Sequence, residues 1–164
     1  MPILSPNTLE FLSRGPEQTR RLGVRIGAQL EPGDIICLSG DLGAGKTTFV
    51  QGIAQGWGSL DQVSSPTFVI VNVYRKPGGQ NLHHLDAYRL QNAFEAESLD
   101  LELMIEKGPL IVEWPEQIDE ALPSDRLWVE MNWIADQRRR LVFLPKGERY
   151  EILLGEFRRL AFGG

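Results

Sequence analysis

Apolar positions follow two rhythms along this chain. Leu22, Ile26 and Leu30 recur at i, i+4 and i+8, one face of a helix. Gly15-Pro16 supplies its start, with proline in the first turn, and Glu31-Pro32-Gly33 marks its end. A short first strand is predicted before it, over residues 8–13. Residues 34–39 (DIICLS) are nearly continuous in apolar character. That pattern suits a short strand covered on both faces, as in a parallel sheet. Residues 48–57 read as a helix stopped at Gly58. Residues 68–74 (FVIVNVY) are rich in β-formers, and Lys76-Pro77-Gly78-Gly79-Gln80 is a turn cluster. Residues 81–86 then form the return strand of a hairpin. Residues 93–107 predict one or two helices, stopped by Gly108-Pro109. A second strand of the buried type follows at 110–114 (LIVEW). Residues 127–134 and 140–144 read as late strands, and 148–162 as a C-terminal helix. The order predicts an α/β fold with a mixed, mainly parallel sheet flanked by helices, carrying a β-hairpin.

Composition narrows the function more than the fold. At 164 residues the chain fits one domain, spanning 1–164, with room for a true core. Seventeen basic residues stand against 22 acidic ones, a net charge of −5. That balance argues against autonomous, tight nucleic-acid binding, DNA included, which needs a strong basic field. One cysteine, Cys37, excludes an internal disulfide framework and reads as a core residue. With only His83 and His84 beside it, a structural zinc site is not expected. No apolar run reaches membrane-spanning length, and the first twelve residues lack the pattern of a signal peptide. The cytoplasm is the expected compartment.

The chemistry is carried by Gly40-Asp41-Leu42-Gly43-Ala44-Gly45-Lys46-Thr47, a full match to G-x-x-x-x-G-K-[ST]. About one unrelated chain in 200 of this length would match by chance, at average residue frequencies. This match also stands between a strand and a helix, where its mechanism requires it, so the fold is expected to be P-loop NTPase-like. Glycines let backbone N–H groups close around phosphate oxygens, and the following helix presents its positive end. Lys46 is placed to reach the β- and γ-phosphates, and the Thr47 hydroxyl is the expected Mg²⁺ ligand. The cofactors read from this loop are a nucleotide triphosphate and Mg²⁺.

Such a site needs acids. Asp86 ends one β-type segment and Glu113 ends another, and ligands of α/β sheets gather at the carboxyl ends of strands. Both are read as positioning the metal or the attacking water. Ser65-Pro66-Thr67 is a turn before a strand, and a threonine in such a loop can sense the γ-phosphate. His83 and His84 read as packing or hydrogen-bonding residues. Arg138-Arg139-Arg140 reads as a solvated hairpin turn that could contact a partner or RNA, and nothing in the sequence singles out an arginine finger.

Four motifs in order carry a resemblance. They are Gly40 to Thr48, Ser65-Pro66-Thr67-Phe68, His84-Leu85-Asp86-Ala87-Tyr88-Arg89-Leu90 and Glu113-Trp114-Pro115-Glu116. The chain resembles the bacterial TsaE family, the ATPase component of tRNA threonylcarbamoyladenosine biosynthesis, over about residues 16–116. Beyond Arg126 only the general β-rich character matches. The resemblance implies that ATP is held by Asp41, Leu42, Gly43, Ala44, Gly45, Lys46, Thr47 and Thr48, with Thr19 of the first helix nearby. It implies Mg²⁺ on Thr47 and Glu113, Asp86 near the metal or the water, Thr67 in a switch-like loop, and Trp114 packed beside the site. It implies an accessory role on the TsaD–TsaB complex, with tRNA met through that complex and modified at adenosine 37. Hydrolysis by the isolated chain would then be slow, because a partner completes the site.

Two other classes use the same loop. A small-molecule kinase would need an acceptor pocket and a mobile lid, for which Arg138 to Arg140 is the one candidate. A binding switch would need no hydrolysis. A GTPase is not expected, because no Asn-Lys-x-Asp motif occurs in the sequence.

Overall fold

In the computed structural model, residues 7–41, 43–63 and 71–161 are described. In chain order they form β1 (Leu9–Ser13), α1 (Pro16–Gly27), β2 (Ile35–Ser39), α2 (Lys46–Trp57), β3 (Val71–Arg75) and β4 (Asn81–Asp86). There follow α3 (Ala93–Glu97), α4 (Leu101–Lys107), β5 (Leu110–Glu113), β6 (Arg126–Ala135), β7 (Arg138–Lys146) and α5 (Glu148–Ala161). The seven strands join one sheet in the order β1-β7-β6-β2-β5-β4-β3. Its centre, β6-β2-β5-β4, is parallel. The hairpin strand β3 on one side and β7 and β1 on the other are antiparallel. The expected mixed α/β sheet with flanking helices and a hairpin is what the chain forms.

Alternation along β2 explains its continuous apolar run. Ile36 and Leu38 enter the core under α1, α2 and α5, whereas Ile35 and Cys37 enter the core on the other face, under α3 and α4. Each core side chain contributes roughly 1.5–3 kcal/mol by leaving water. Burial also drives the Cys37 thiol up to about 12, so it stays an inert core thiol. On the first face, α1 and α2 approach backbone to backbone. A Cβ on Gly52 would lie 2.1 Å from the carbonyl oxygen of Arg20, so any larger residue forces the helices apart.

The C-terminal helix is tied to the start of β2. Tyr150 Oη accepts the Ile35 N–H at 2.8 Å, and Arg149 Nε and Nη2 donate to the buried Asp34 at 2.9 and 2.7 Å. The segment that carried no motif therefore anchors the strand feeding the glycine loop.

Residues 93–107 form two helices, one of the two expected outcomes, because Asp100 takes a left-handed backbone (φ 56°) and caps α4 through Leu103 N–H. Two expectations are adjusted. Helix α1 ends at Gly27, four residues before Glu31-Pro32-Gly33. The arginine run is not the hairpin turn. That turn lies at Asp136 (φ 45°) and Gln137, and the arginines open β7.

Candidate functional site

The site is built where β2 runs into α2. Gly45 precedes the helix at φ 95°, a left-handed backbone that favours glycine. Within the loop, Ala44 N–H donates to the Asp41 carbonyl at 3.1 Å, and Ala44 is buried as a peg in the core. Asp41 itself is exposed; Thr47 and Thr48 are half-buried in the first turn of α2. Among the described residues no side chain caps this twelve-residue helix, and no acid stands in its first turn. Its unsatisfied N–H groups and positive dipole end are thus left for an anion. Helix α2 starts two residues earlier than expected, which puts Lys46 and Thr47 inside that turn.

Lys46 is only 6% exposed. Its ammonium donates to the Gly40 carbonyl and sits 4.0 Å from the centre of the Trp114 ring. Burial lowers its pKa, while Glu113, Asp86, Glu116 and Asp41 pull in the other direction. The lysine therefore lies folded back on its own loop, with acids on several sides.

Register brings the acids to it. Leu38 of β2 pairs with Glu113 of β5, and Glu113 pairs with Asp86 of β4. Both carboxylates stand at the carboxyl edge of the sheet from which the loop rises. Glu113 is 6% exposed, and its Oε2 lies 2.7 Å from His84 Nε2. Asp86 is half-buried, and its Oδ1 accepts the Tyr88 N–H at 3.0 Å, capping a short turn at Ala87–Arg89. Strand β5 stops because Trp114 adopts φ 57°, while its N–H still donates to Leu38 at 3.2 Å. Its indole faces Lys46 on one side and packs against Tyr88 at 4.9 Å between centroids. Trp114 is thus beside the site, as the sequence led us to expect.

Thr19 is placed differently from the loop residues. It is buried, and its hydroxyl lies 2.6 Å from Ser13 Oγ, so it braces the end of β1. Leu42 and Thr67 lie outside the described residues, so their expected roles have no geometry here. Among the described residues no three His, Cys, Asp or Glu side chains gather as a metal cluster. A hydroxyl and two carboxylates beside a phosphate loop fit Mg²⁺, a hard cation that takes few protein ligands and completes its shell with phosphates and water.

One residue escaped the sequence reading. Arg139 Nε donates to the Gly43 carbonyl at 3.2 Å, and its Nη1 donates to Asp136 and Arg138 carbonyls at 2.7 and 2.9 Å. A cation is thereby fixed on the rim of the loop, opposite the acids. The signal was present: Phe143 and Leu141 are core residues, and stepping back by two reaches Arg139 on the same face. Beside it opens a cavity of about 560 Å³ lined by Leu12, Ser13, Arg14, Ile134, Arg138 and Arg139.

The family model described as "Threonylcarbamoyl adenosine biosynthesis protein TsaE" matches residues 13–141. The chain belongs to the TsaE family. That span runs from Ser13 to Leu141, so the loop, both acids and Arg139 fall inside it, whereas α5 falls outside. A TsaE protein of Bacillus subtilis is 40% identical over 151 residues, covering 92% of this chain and 94% of the relative. A TsaE protein of Streptomyces coelicolor is 42% identical over 137 residues, covering 80% and 93%. The crystal structure of Bacillus subtilis YdiB superposes with a TM-score of 0.78 at 35% identity, covering 93% of this chain and 95% of that one. Both relatives are described as tRNA threonylcarbamoyladenosine biosynthesis proteins.

Proposed function

We propose that this TsaE-family chain is a weak Mg²⁺-dependent ATPase that serves tRNA threonylcarbamoyladenosine biosynthesis by acting on the TsaD–TsaB complex. One observation carries the reading. An uncapped helix start, a buried lysine folded over its loop and a buried carboxylate meet at one edge of the sheet. Each is costly alone, and a Mg²⁺-bound triphosphate satisfies all three together.

In this reading the loop backbone and Lys46 bind the phosphates. Thr47 and Glu113 would hold Mg²⁺, which would supply charge neutralisation at the phosphates. Asp86 lies one strand further from the loop and would act near the metal or orient the attacking water. Thr67 would sense the γ-phosphate. Thr19 contributes from behind, through Ser13. Arg139 steadies the loop from the opposite rim, and the cavity beside it is the natural place for the nucleoside end. The acidic net charge suits a chain that meets tRNA through its partners rather than directly. Among the described residues no helix is long and apolar enough to cross a membrane, and we assign the chain to the cytoplasm.

The kinase reading is less favoured, because its one candidate lid is the opening of strand β7, paired on both sides. The decisive experiment is steady-state phosphate release from Mg-ATP, with and without the TsaD–TsaB pair, using Lys46→Ala as the blank. Clear stimulation over a slow basal rate is expected. Turnover in Lys46→Ala equal to wild type would remove the loop assignment, and absence of stimulation would remove the accessory role.

A further inference from the structure

Behind Glu113 runs a buried polar chain that the ATPase reading does not use. Tyr74 Oη lies 3.0 Å from His84 Nδ1, and His84 Nε2 lies 2.7 Å from Glu113 Oε2. The three side chains come from β3, β4 and β5, and all three residues are buried. They share one face of the sheet. Tyr74 pairs with Leu82, two residues from His84, and Glu113 pairs with Asp86, two residues further on.

Donor chemistry gives this chain one direction. A carboxylate only accepts, so His84 Nε2 must carry a proton. The Tyr74 hydroxyl, which can donate or accept, holds the other ring nitrogen, Nδ1. Burial first, and the Glu113 charge second, push the Tyr74 phenol up to about 12, so it keeps its proton over the ordinary range. His84 thus reaches Glu113 through Nε2 in one ring orientation. The donation engages Oε2 and leaves the second carboxylate oxygen uncommitted to the histidine.

We propose that His84, locked by Tyr74, is a positioning residue that sets the direction in which Glu113 offers its free oxygen to the divalent cation of a bound nucleotide. The proposal rests on the reading of Glu113 as the metal acid. A merely structural histidine would alter stability without altering the metal requirement. Partners of this kind are worth about ten- to a hundredfold in metal affinity when removed.

Two isosteres separate the alternatives. In His84→Gln the amide nitrogen stands where Nε2 was and keeps the donation to Glu113. In His84→Asn the amide stands where Nδ1 was and loses it. ADP affinity is measured by calorimetry with and without Mg²⁺, alongside the thermal midpoint. His84→Asn should lose about tenfold of the Mg²⁺-dependent gain in affinity while binding without Mg²⁺ is unchanged. His84→Gln should keep most of that gain. A folded His84→Asn with the wild-type Mg²⁺ response would overturn the proposal while leaving the ATPase reading intact. No Mg²⁺ response in wild type would instead overturn the ATPase reading, and this proposal with it. Should His84→Asn fail to fold, ¹⁵N spectra of the wild-type histidine rings decide. A proton on Nε2 whose resonance moves on adding Mg-ADP supports the chain; an Nε2 without a proton refutes it.

Discussion

Glu113 and Asp86 are neighbours in register, one strand apart, yet the protein treats them differently. Glu113 is buried and held by a histidine that is itself buried and held by a tyrosine. Asp86 is half-buried and spends one oxygen on the backbone of the next turn. A buried carboxylate is costly to keep charged unless it has partners, and it repays that cost when a cation arrives. A half-buried carboxylate keeps its water and can hand it on. Two acids at one sheet edge thus divide into a fixed carboxylate and a wetter one. The difference lies in what stands behind each carboxylate, not in the carboxylates themselves.

The comparison can be broken at several points. The largest effect is expected from Glu113→Ala. Mg²⁺-dependent hydrolysis should fall by about 10²–10³-fold. The His84 donor would also be left unpaired in the core, costing about 1–3 kcal/mol in a denaturant midpoint. Unchanged Mg²⁺ dependence would move the metal assignment elsewhere.

Asp86→Ala should reduce hydrolysis by about a hundredfold while nucleotide affinity falls much less. It also removes the cap at Ala87–Arg89, at a cost of about 1 kcal/mol. Asp86→Asn sharpens the comparison, because asparagine caps as well as aspartate. Stability should return and hydrolysis should not. Recovery of both would make Asp86 a structural cap only.

A pH series tests the lysine between the two acids. Burial lowers the Lys46 pKa, so its ammonium is present at low pH and lost as pH rises through a value below that of an ordinary lysine. ATP affinity should therefore decline on the alkaline side earlier than for an exposed lysine. Lys46→Ala should lack that limb. The smallest effect is expected on the opposite rim. Arg139→Ala removes a partly exposed contact to Gly43, and nucleotide affinity should weaken about two- to threefold.

Much of this was legible in the sequence. Strand β4 occupies residues 81–86 as expected, because a turn cluster precedes it and an acid closes it. The glycine loop was visible as a motif and Asp86 and Glu113 as acids that end strands, and register explains why the two acids share the edge from which the loop rises. What failed was local. The arginine run read as a solvated turn because charge masked the strand alternation that aims Arg139 at the loop. His84 read as a packing residue, and only the sheet places it between Tyr74 and Glu113, 29 residues further along the chain.

The most direct test of the central claim is crystallographic. Crystals grown with Mn²⁺ and a non-hydrolysable ATP analogue would locate the metal by its anomalous signal. The account predicts one peak, with the Thr47 hydroxyl and a Glu113 carboxylate oxygen within roughly 2.0–2.3 Å or bridged by one water. Asp86 would face it through water, and Lys46 would have left Gly40 for the phosphates. A metal bound away from Glu113, or a nucleotide seated outside the loop, would contradict it.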